Sequence, residues 1–119
     1  MADLDVKSFE SPDEVRPFEG KGQLELVSVA GRMVGRGTFE PGWRWSENVK
    51  PIAGTDSCQT NHLGYVLSGR MHVWMDDGSE DEAGPGDVFV IGSGHDAEVV
   101  GDEPVVTLEF GEAAGYARR

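Results

Sequence analysis

The chain has 119 residues, enough for one domain with a core of its own. Its 22 acidic residues against 10 basic ones leave a net charge of −12, which argues against nucleic acid and anionic membranes as partners, since both are held by clustered Lys and Arg. No apolar run nears the ~20 residues of a membrane helix, the start MADLDVKSFESPDEV has no apolar signal core, and a single cysteine excludes an internal disulfide and fits a reducing cytoplasm.

The chain reads as short strands punctuated by glycine and proline. Residues 1–22 are expected to form an N-terminal arm packed on the body of the protein or on a partner. QLELVSV (23–29) alternates apolar and polar residues, turns at Ala30-Gly31, and continues as MVGRGTF (33–39). Glu40-Pro41-Gly42 breaks the chain before WRWSENV (43–49), which alternates again and is predicted to be a strand. KPIAGTDSCQTN (50–61) has loop composition. HLGYVLS (62–68) and RMHVWMD (70–76) follow as strands, the second closing on Asp77-Gly78, a hairpin turn signal. DVFVIG (87–92), HDAEVVG (95–101) and VVTLEF (105–110) complete the set, and residues 111–119 form a tail. Short strands at this spacing predict an all-β sandwich or barrel in a single domain.

Two of these stretches together, HLGYVLSGRMHV (62–73) and GPGDVFVIGSGHDAEVVGDEP (84–104), resemble the motifs of small single-domain cupins. The first offers a ligand position at His62, the strand Tyr65-Val66-Leu67 and the turn glycine Gly69. The second offers Gly86-Asp87, an apolar strand, the turn Gly92-Ser93-Gly94 and a histidine, His95. The resemblance covers residues 23–110 and implies a double-stranded β-helix, a jelly-roll-like barrel open at one mouth. It also implies one divalent metal ion (zinc, iron, nickel or manganese) inside, on an open-sided set of ligands. Rigid strands and an incompletely protein-ligated ion suit binding of a further molecule.

The ligand positions depart from the family pattern. His62 stands where the first motif carries glutamate, and the motif spacing puts Cys58 and Asp56 at its two histidine positions. His95 directly follows Gly94, whereas the second motif places its histidine at the position of Ala97; residues 95 and 97 share strand parity, so His95 can still face the lumen. An alternative alignment treats 50–61 as an insertion and brings Glu47 or Asn48 to the histidine pair. His62 and His95 are therefore the core candidates, with Cys58, Asp56 or Glu47 completing the set. Imidazole is the commonest metal ligand, and a cysteine thiolate suits a soft or borderline ion.

His72 is out of phase with Met71, Val73 and Met75 and is expected to face away from the lumen. Trp43 and Trp45, which share one face, and Tyr65 are candidate pocket walls for a small organic molecule. Cys58 and His62 could form a thiolate–imidazole dyad, but nothing in the sequence supplies the orienting third group. The expectation is a metal-binding cupin that binds or transforms a small organic molecule, dioxygenase-like or isomerase-like if catalytic. The alternative is a non-catalytic ligand-binding or regulatory module, with or without a metal. Cupins commonly pair through edge strands and N-terminal arms, so a homodimer is expected as well.

Overall fold

The computed structural model describes residues 4–111 and 116–117. The chain runs through β1 (Glu14–Pro17), β2 (Gly22–Val29), β3 (Arg32–Phe39), α1 (Trp45–Asn48), α2 (Lys50–Ala53), β4 (His62–Ser68), β5 (Arg70–Met75), β6 (Glu80–Ala83), β7 (Val88–Ile91), β8 (His95–Val100) and β9 (Val105–Phe110). The strands form two antiparallel sheets, one ordered β1-β2-β3-β9-β4-β7 and the other β6-β5-β8. This is the all-β, jelly-roll-like architecture expected from the sequence. No helix among the described residues is long and apolar enough to cross a membrane.

The chain passes from one sheet to the other through a single residue between β4 and β5. Gly69 makes that corner with φ +79°, and a Cβ there would lie 2.4 Å from the Pro104 carbonyl oxygen. Only glycine meets both demands without strain. The corner brings the inner faces of the two sheets together over a core that includes Phe18, Leu24, Leu26, Phe39, Val49 and Val105. Leu24, Leu26 and Val105 are fully enclosed. β4 alternates strictly, with His62, Gly64 and Val66 inward and Leu63, Tyr65 and Leu67 outward. β9 has Val105, Thr107 and Glu109 inward.

The structure corrects the strand predicted over 43–49. Arg44 is extended and forms an isolated bridge to Glu98, but from Trp45 the chain turns into α1. Local polar side chains take the backbone groups that a ladder would have used. The Arg44 N–H donates to Asn48 Oδ1 at 3.0 Å, the Ser46 N–H donates to Asp96 Oδ1 at 3.1 Å, and Asn48 Nδ2 donates to the Glu19 carbonyl at 2.7 Å. Both indoles are buried nonetheless, each 2% exposed.

Two further elements add to the sequence reading. β1, inside the expected arm, pairs with β2 and extends the larger sheet. β6, whose sequence EDEA lacks any apolar alternation, pairs with β5 through the Asp77-Gly78 turn. His72 faces away from the core, as expected. Its Nδ1 lies 3.3 Å from Glu82 Oε2 and its Nε2 3.0 Å from Glu80 Oε1. Partial burial disfavours the imidazolium, but hydrogen bonds donated to Glu82 and Glu80 outweigh it and raise the His72 pKa above its ordinary value.

Two measurements follow. Leu24→Ala should destabilise the protein by about 2–5 kcal/mol in urea denaturation, the usual result of emptying a fully enclosed leucine site. Because His72 has a raised folded-state pKa, its contribution to stability is complete below its ordinary pKa and disappears as pH rises through the folded value. The Tm difference between the parent and the E80Q/E82Q double variant should therefore be largest in mild acid and shrink at alkaline pH to the part owed to the Arg70–Glu82 pair. The NMR titration of His72 should move down towards an ordinary histidine in that variant.

Candidate metal centre

Three side chains meet inside the barrel, each delivered by a different device. His62 is the first residue of β4 and, by strand parity, points inward. His95 is the first residue of β8 and also points inward. Cys58 precedes β4 and is fixed opposite His95 by backbone bonds in both directions. The Cys58 N–H donates to the His95 carbonyl at 2.7 Å, and the N–H groups of Gly94 and His95 donate to the Cys58 carbonyl at 2.7 and 3.2 Å. The donor atoms of Cys58, His62 and His95 all lie within 4.8 Å of one another, and all three residues are buried.

Each imidazole has its Nδ1 committed, which directs its Nε2 at the cluster. His62 Nδ1 bonds the carboxylate of Glu109, which is 3% exposed on the inner face of β9. His95 Nδ1 donates to the Gly92 carbonyl at 2.7 Å. Carboxylate or carbonyl on one ring nitrogen, with the other nitrogen free, is the arrangement that fixes metal-ligating histidines in orientation and tautomer. His62 Nε2 lies 3.7 Å from Cys58 Sγ. Zinc–sulfur and zinc–nitrogen bonds at a tetrahedral angle would set these two atoms about 3.6 Å apart, so the pair is already near the spacing of two ligands on one ion.

The electrostatics point the same way. Burial alone would push the Cys58 thiol up, but the hydrogen bonds and charges of His62 and His95 prevail and bring it down to about 6. Burial also opposes charge on His62, yet the Glu109 carboxylate and the Cys58 sulfur raise its pKa to about 10. Without a metal, the cluster is thus a thiolate beside an imidazolium that rests on a carboxylate.

A cavity of about 50 Å³ adjoins the cluster, walled mainly by Phe39, Trp43, Trp45, Met71, Val73 and Phe89. Space for Phe89 is created by Gly64, which stands opposite Glu109 in the sheet register; a Cβ at Gly64 would lie 2.5 Å from the Phe89 ring. Tyr116 closes one side, its ring centroid 5.1 Å from that of His62. Burial, with the charges of Cys58, Glu109 and Asp96, holds the Tyr116 hydroxyl neutral by raising its pKa well above the ordinary value. The indole N–H groups of Trp43 and Trp45 are buried without an acceptor among the described residues.

Of the residues singled out in the sequence, the structure brings together Cys58, His62 and His95 and places Trp43 and Trp45 in the cavity wall. Three others belong elsewhere. Asp56 is fully exposed, 4.0 Å from Lys50 Nζ, because α2 and Gly54 swing that part of the loop outside the barrel. Glu47 sits on the solvent side of α1, whose buried side carries Trp45 and Asn48. Tyr65 is 37% exposed on the outer face, one step out of phase with His62. Sequence reasoning missed Glu109 and Tyr116. The parity of β9 could have flagged Glu109, although Val106, Leu108 and Phe110 look like the more natural inward set. Nothing local in the sequence identifies Tyr116.

The family described as Cupin domain matches residues 54–111. Solved structures with the same fold include a protein of unknown function from Acidithiobacillus ferrooxidans, 23% identical with a TM-score of 0.62, covering 84% of this chain and 88% of that one. KdgF from Halomonas sp. is 22% identical with a TM-score of 0.56 and covers 89% of each chain. The oxalate decarboxylase of Lactobacillus farciminis, solved as a formate complex, is 16% identical with a TM-score of 0.62; the match covers 92% of this chain and 32% of that larger one. None of the curated proteins compared with the chain matches it. At these identities the structural likeness speaks for the fold alone.

Thiolate absorbance near 240 nm offers a direct reading of the cluster. In protein stripped with chelator, Cys58 should ionise near pH 6. The transition should move up towards that of an ordinary thiol in His62→Ala, which removes the nearest imidazole.

Proposed function

We propose that the chain is a cupin-domain protein whose barrel holds one divalent metal ion on Cys58, His62 and His95 and binds a small organic molecule beside it. The observation that carries this reading is the convergence of three donor atoms within 4.8 Å, with each imidazole Nδ1 already engaged. Three protein ligands leave a coordination position open, as in metal sites that bind a further molecule. A thiolate with two imidazoles is a soft-to-borderline set, which favours zinc, iron or nickel over manganese. When bound, such an ion supplies Lewis-acid polarisation of an oxygen on the bound molecule.

The remaining contributions come from the chain's own residues. Glu109 holds His62 in orientation and keeps negative charge behind it. The aromatic and aliphatic walls exclude water and limit the guest to a few non-hydrogen atoms near the cluster. The buried indole N–H groups of Trp43 and Trp45 have no acceptor among the described residues, so an oxygen-bearing guest could accept from them.

One observation favours a second, metal-free reading. Glu109, His62 and Cys58 form a carboxylate–imidazole–sulfur series, supplying the orienting group that the sequence did not show. Such a series suits a cysteine nucleophile. The Cys58 sulfur would bond to an electrophilic carbon of the guest while the leaving group departs with the proton of His62 Nε2. The 3.7 Å separation suits both a hydrogen bond to sulfur and two co-ligands, and the metal reading is preferred because His95 converges on the same sulfur.

Elemental analysis of untagged protein separates the two. The metal reading expects about one zinc, iron or nickel ion per chain, lost in the H62A/H95A double variant, and a thiolate-to-metal charge-transfer band in the cobalt-substituted protein that C58S lacks. Negligible metal, unchanged in the double variant after reconstitution, overturns it. Glu109→Gln should weaken the affinity for zinc by about 10–100-fold, the usual effect of removing the carboxylate behind a ligating histidine.

A further inference from the structure

Two strands that follow each other in sequence end up on different sheets. β6 is the outermost strand of the smaller sheet and β7 the outermost strand of the larger one. The turn between them, Gly84-Pro85-Gly86-Asp87, is closed by the Asp87 N–H on the Gly84 carbonyl at 3.0 Å and by the Gly84 N–H on Asp87 Oδ2 at 2.7 Å. It is also fastened to β4, where the Gly86 N–H donates to the Val66 carbonyl at 2.9 Å and the Val66 N–H donates to the Asp87 carbonyl at 3.0 Å. From there β7 stays on β4, while β6 pairs with β5. The two strands therefore splay apart, and a groove of about 720 Å³ lies between them.

The groove adjoins the inner cavity. Val73, Ala83, Phe89 and Ile91 line both, so the two spaces meet across these side chains. The registers put them there. Ala83 stands opposite Met71 on the inner face of β6, and Phe89 and Ile91 stand opposite Gly64 and His62 on the inner face of β7. Phe89 is the largest of the four, and its ring fills the space that Gly64 leaves. It is half-buried on a four-residue strand held on one side only, so its side chain can turn without breaking a ladder. Elsewhere the described residues close the cavity more firmly. Tyr116 is 3% exposed and packs edge-on against both His62 and Phe18, and Cys58 and His95 are tied by their backbones.

We propose that the guest of the barrel reaches the cluster sideways, through the groove between β6 and β7 with Phe89 as its gate, and that the groove holds the part of the guest the inner cavity cannot. This rests on the reading that the barrel takes a small organic molecule, but not on a bound metal. Size supports a divided site. A cavity of about 50 Å³ admits only a few atoms, whereas about 720 Å³ falls within the ~300–1,000 Å³ of ordinary ligand pockets. The groove also restricts the chemistry of what it holds. Its walls include Val73, Met75, Phe89 and Ile91, Asp81 stands on the inner face of β6 opposite Val73, and no Lys or Arg is among its described lining residues. A second acid group or a phosphate at the far end of the guest would be repelled there and left unpaired. The distal part of the guest is therefore apolar and either uncharged or cationic.

Quenching of tryptophan fluorescence by acrylamide, a small neutral probe, reads the route. The chain has three tryptophans, and W74F leaves only Trp43 and Trp45 emitting, both in the cavity wall. In that background Phe89→Ala should raise the quenching rate constant several-fold and Ala83→Leu should lower it, with folding checked by circular dichroism. Leu24→Ala, which loosens the core away from the gate, and Tyr116→Ala should each raise it less. A rate in F89A no higher than in L24A, or Y116A as the fastest of the three, overturns the side entrance. Energy transfer from tryptophan to a bound dye reads the groove itself. Neutral N-phenylnaphthylamine should bind at least about 10-fold more tightly than its sulfonated analogue, anilinonaphthalene sulfonate, and Asp81→Lys, at an exposed position, should narrow that gap. Equal affinities, or a gap that D81K leaves unchanged, overturn the charge preference. Both arms run on chelator-stripped full-length protein, so absence of metal in elemental analysis and failure of the side entrance are separate results.

Discussion

A carboxylate buried on the inner face of one strand and an imidazole buried on its neighbour set the terms for the interior of this protein. Glu109 on β9 and His62 on β4 are 3% and 8% exposed. Neither tolerates charge there alone, since an unpaired buried ion costs several kcal/mol. Paired, they fix each other, and the pairing decides which His62 nitrogen is left for anything else. Nε2 then faces Cys58, and through it the backbone pair of Cys58 and His95. Both of the functional readings start from this contact. They differ only in whether an ion or the sulfur itself is the electrophile's partner.

The pair is possible because the strands around it yield space. Gly64 stands directly opposite Glu109 in the register and gives its place to Phe89 from the next strand. Gly69 allows β4 to turn directly into the opposite sheet. A larger residue at either position would meet a carbonyl oxygen or a ring at about 2.5 Å or less. The glycines are thus not loosely placed spacers. They let three layers of side chain, from β4, β7 and β9, close on a cavity of only about 50 Å³.

How much of this could be read from the sequence depends on the kind of signal. Strands with alternation and turn residues, such as 62–68 and 105–110, were legible, and so was the inward placement of position 62 beside Cys58 and His95, because a motif spans it. The segment 43–49 was not. Its alternation is real in the sense that both tryptophans are buried, but Asn48 and Asp96 capture backbone groups and bend it into a helical turn. β6 was invisible because cross-strand contacts with His72 and Arg70, not apolar burial, hold its acidic residues. Tyr65 was legible and misread: its parity with His62 already placed it outside. Asp56 came from motif spacing, which does not register that an intervening loop leaves the barrel, and Glu47 came from an alignment that treats 50–61 as an insertion, which does not register the helical turn that sets it on the solvent side.

Glu109 is the most instructive omission, because the reason for it is physical. In VVTLEF the apolar set Val106, Leu108 and Phe110 outweighs the inward set, and a reader seeking the core would choose the wrong face. Hydrophobic alternation marks a buried face only when one face of the strand is solvated. A strand that lines a polar site on one side and a protein surface on the other reverses that sign. Glutamate inside and phenylalanine outside are therefore one observation. The barrel interior has accepted a buried charged pair, and the apolar residues of the same strand stand on the outer face.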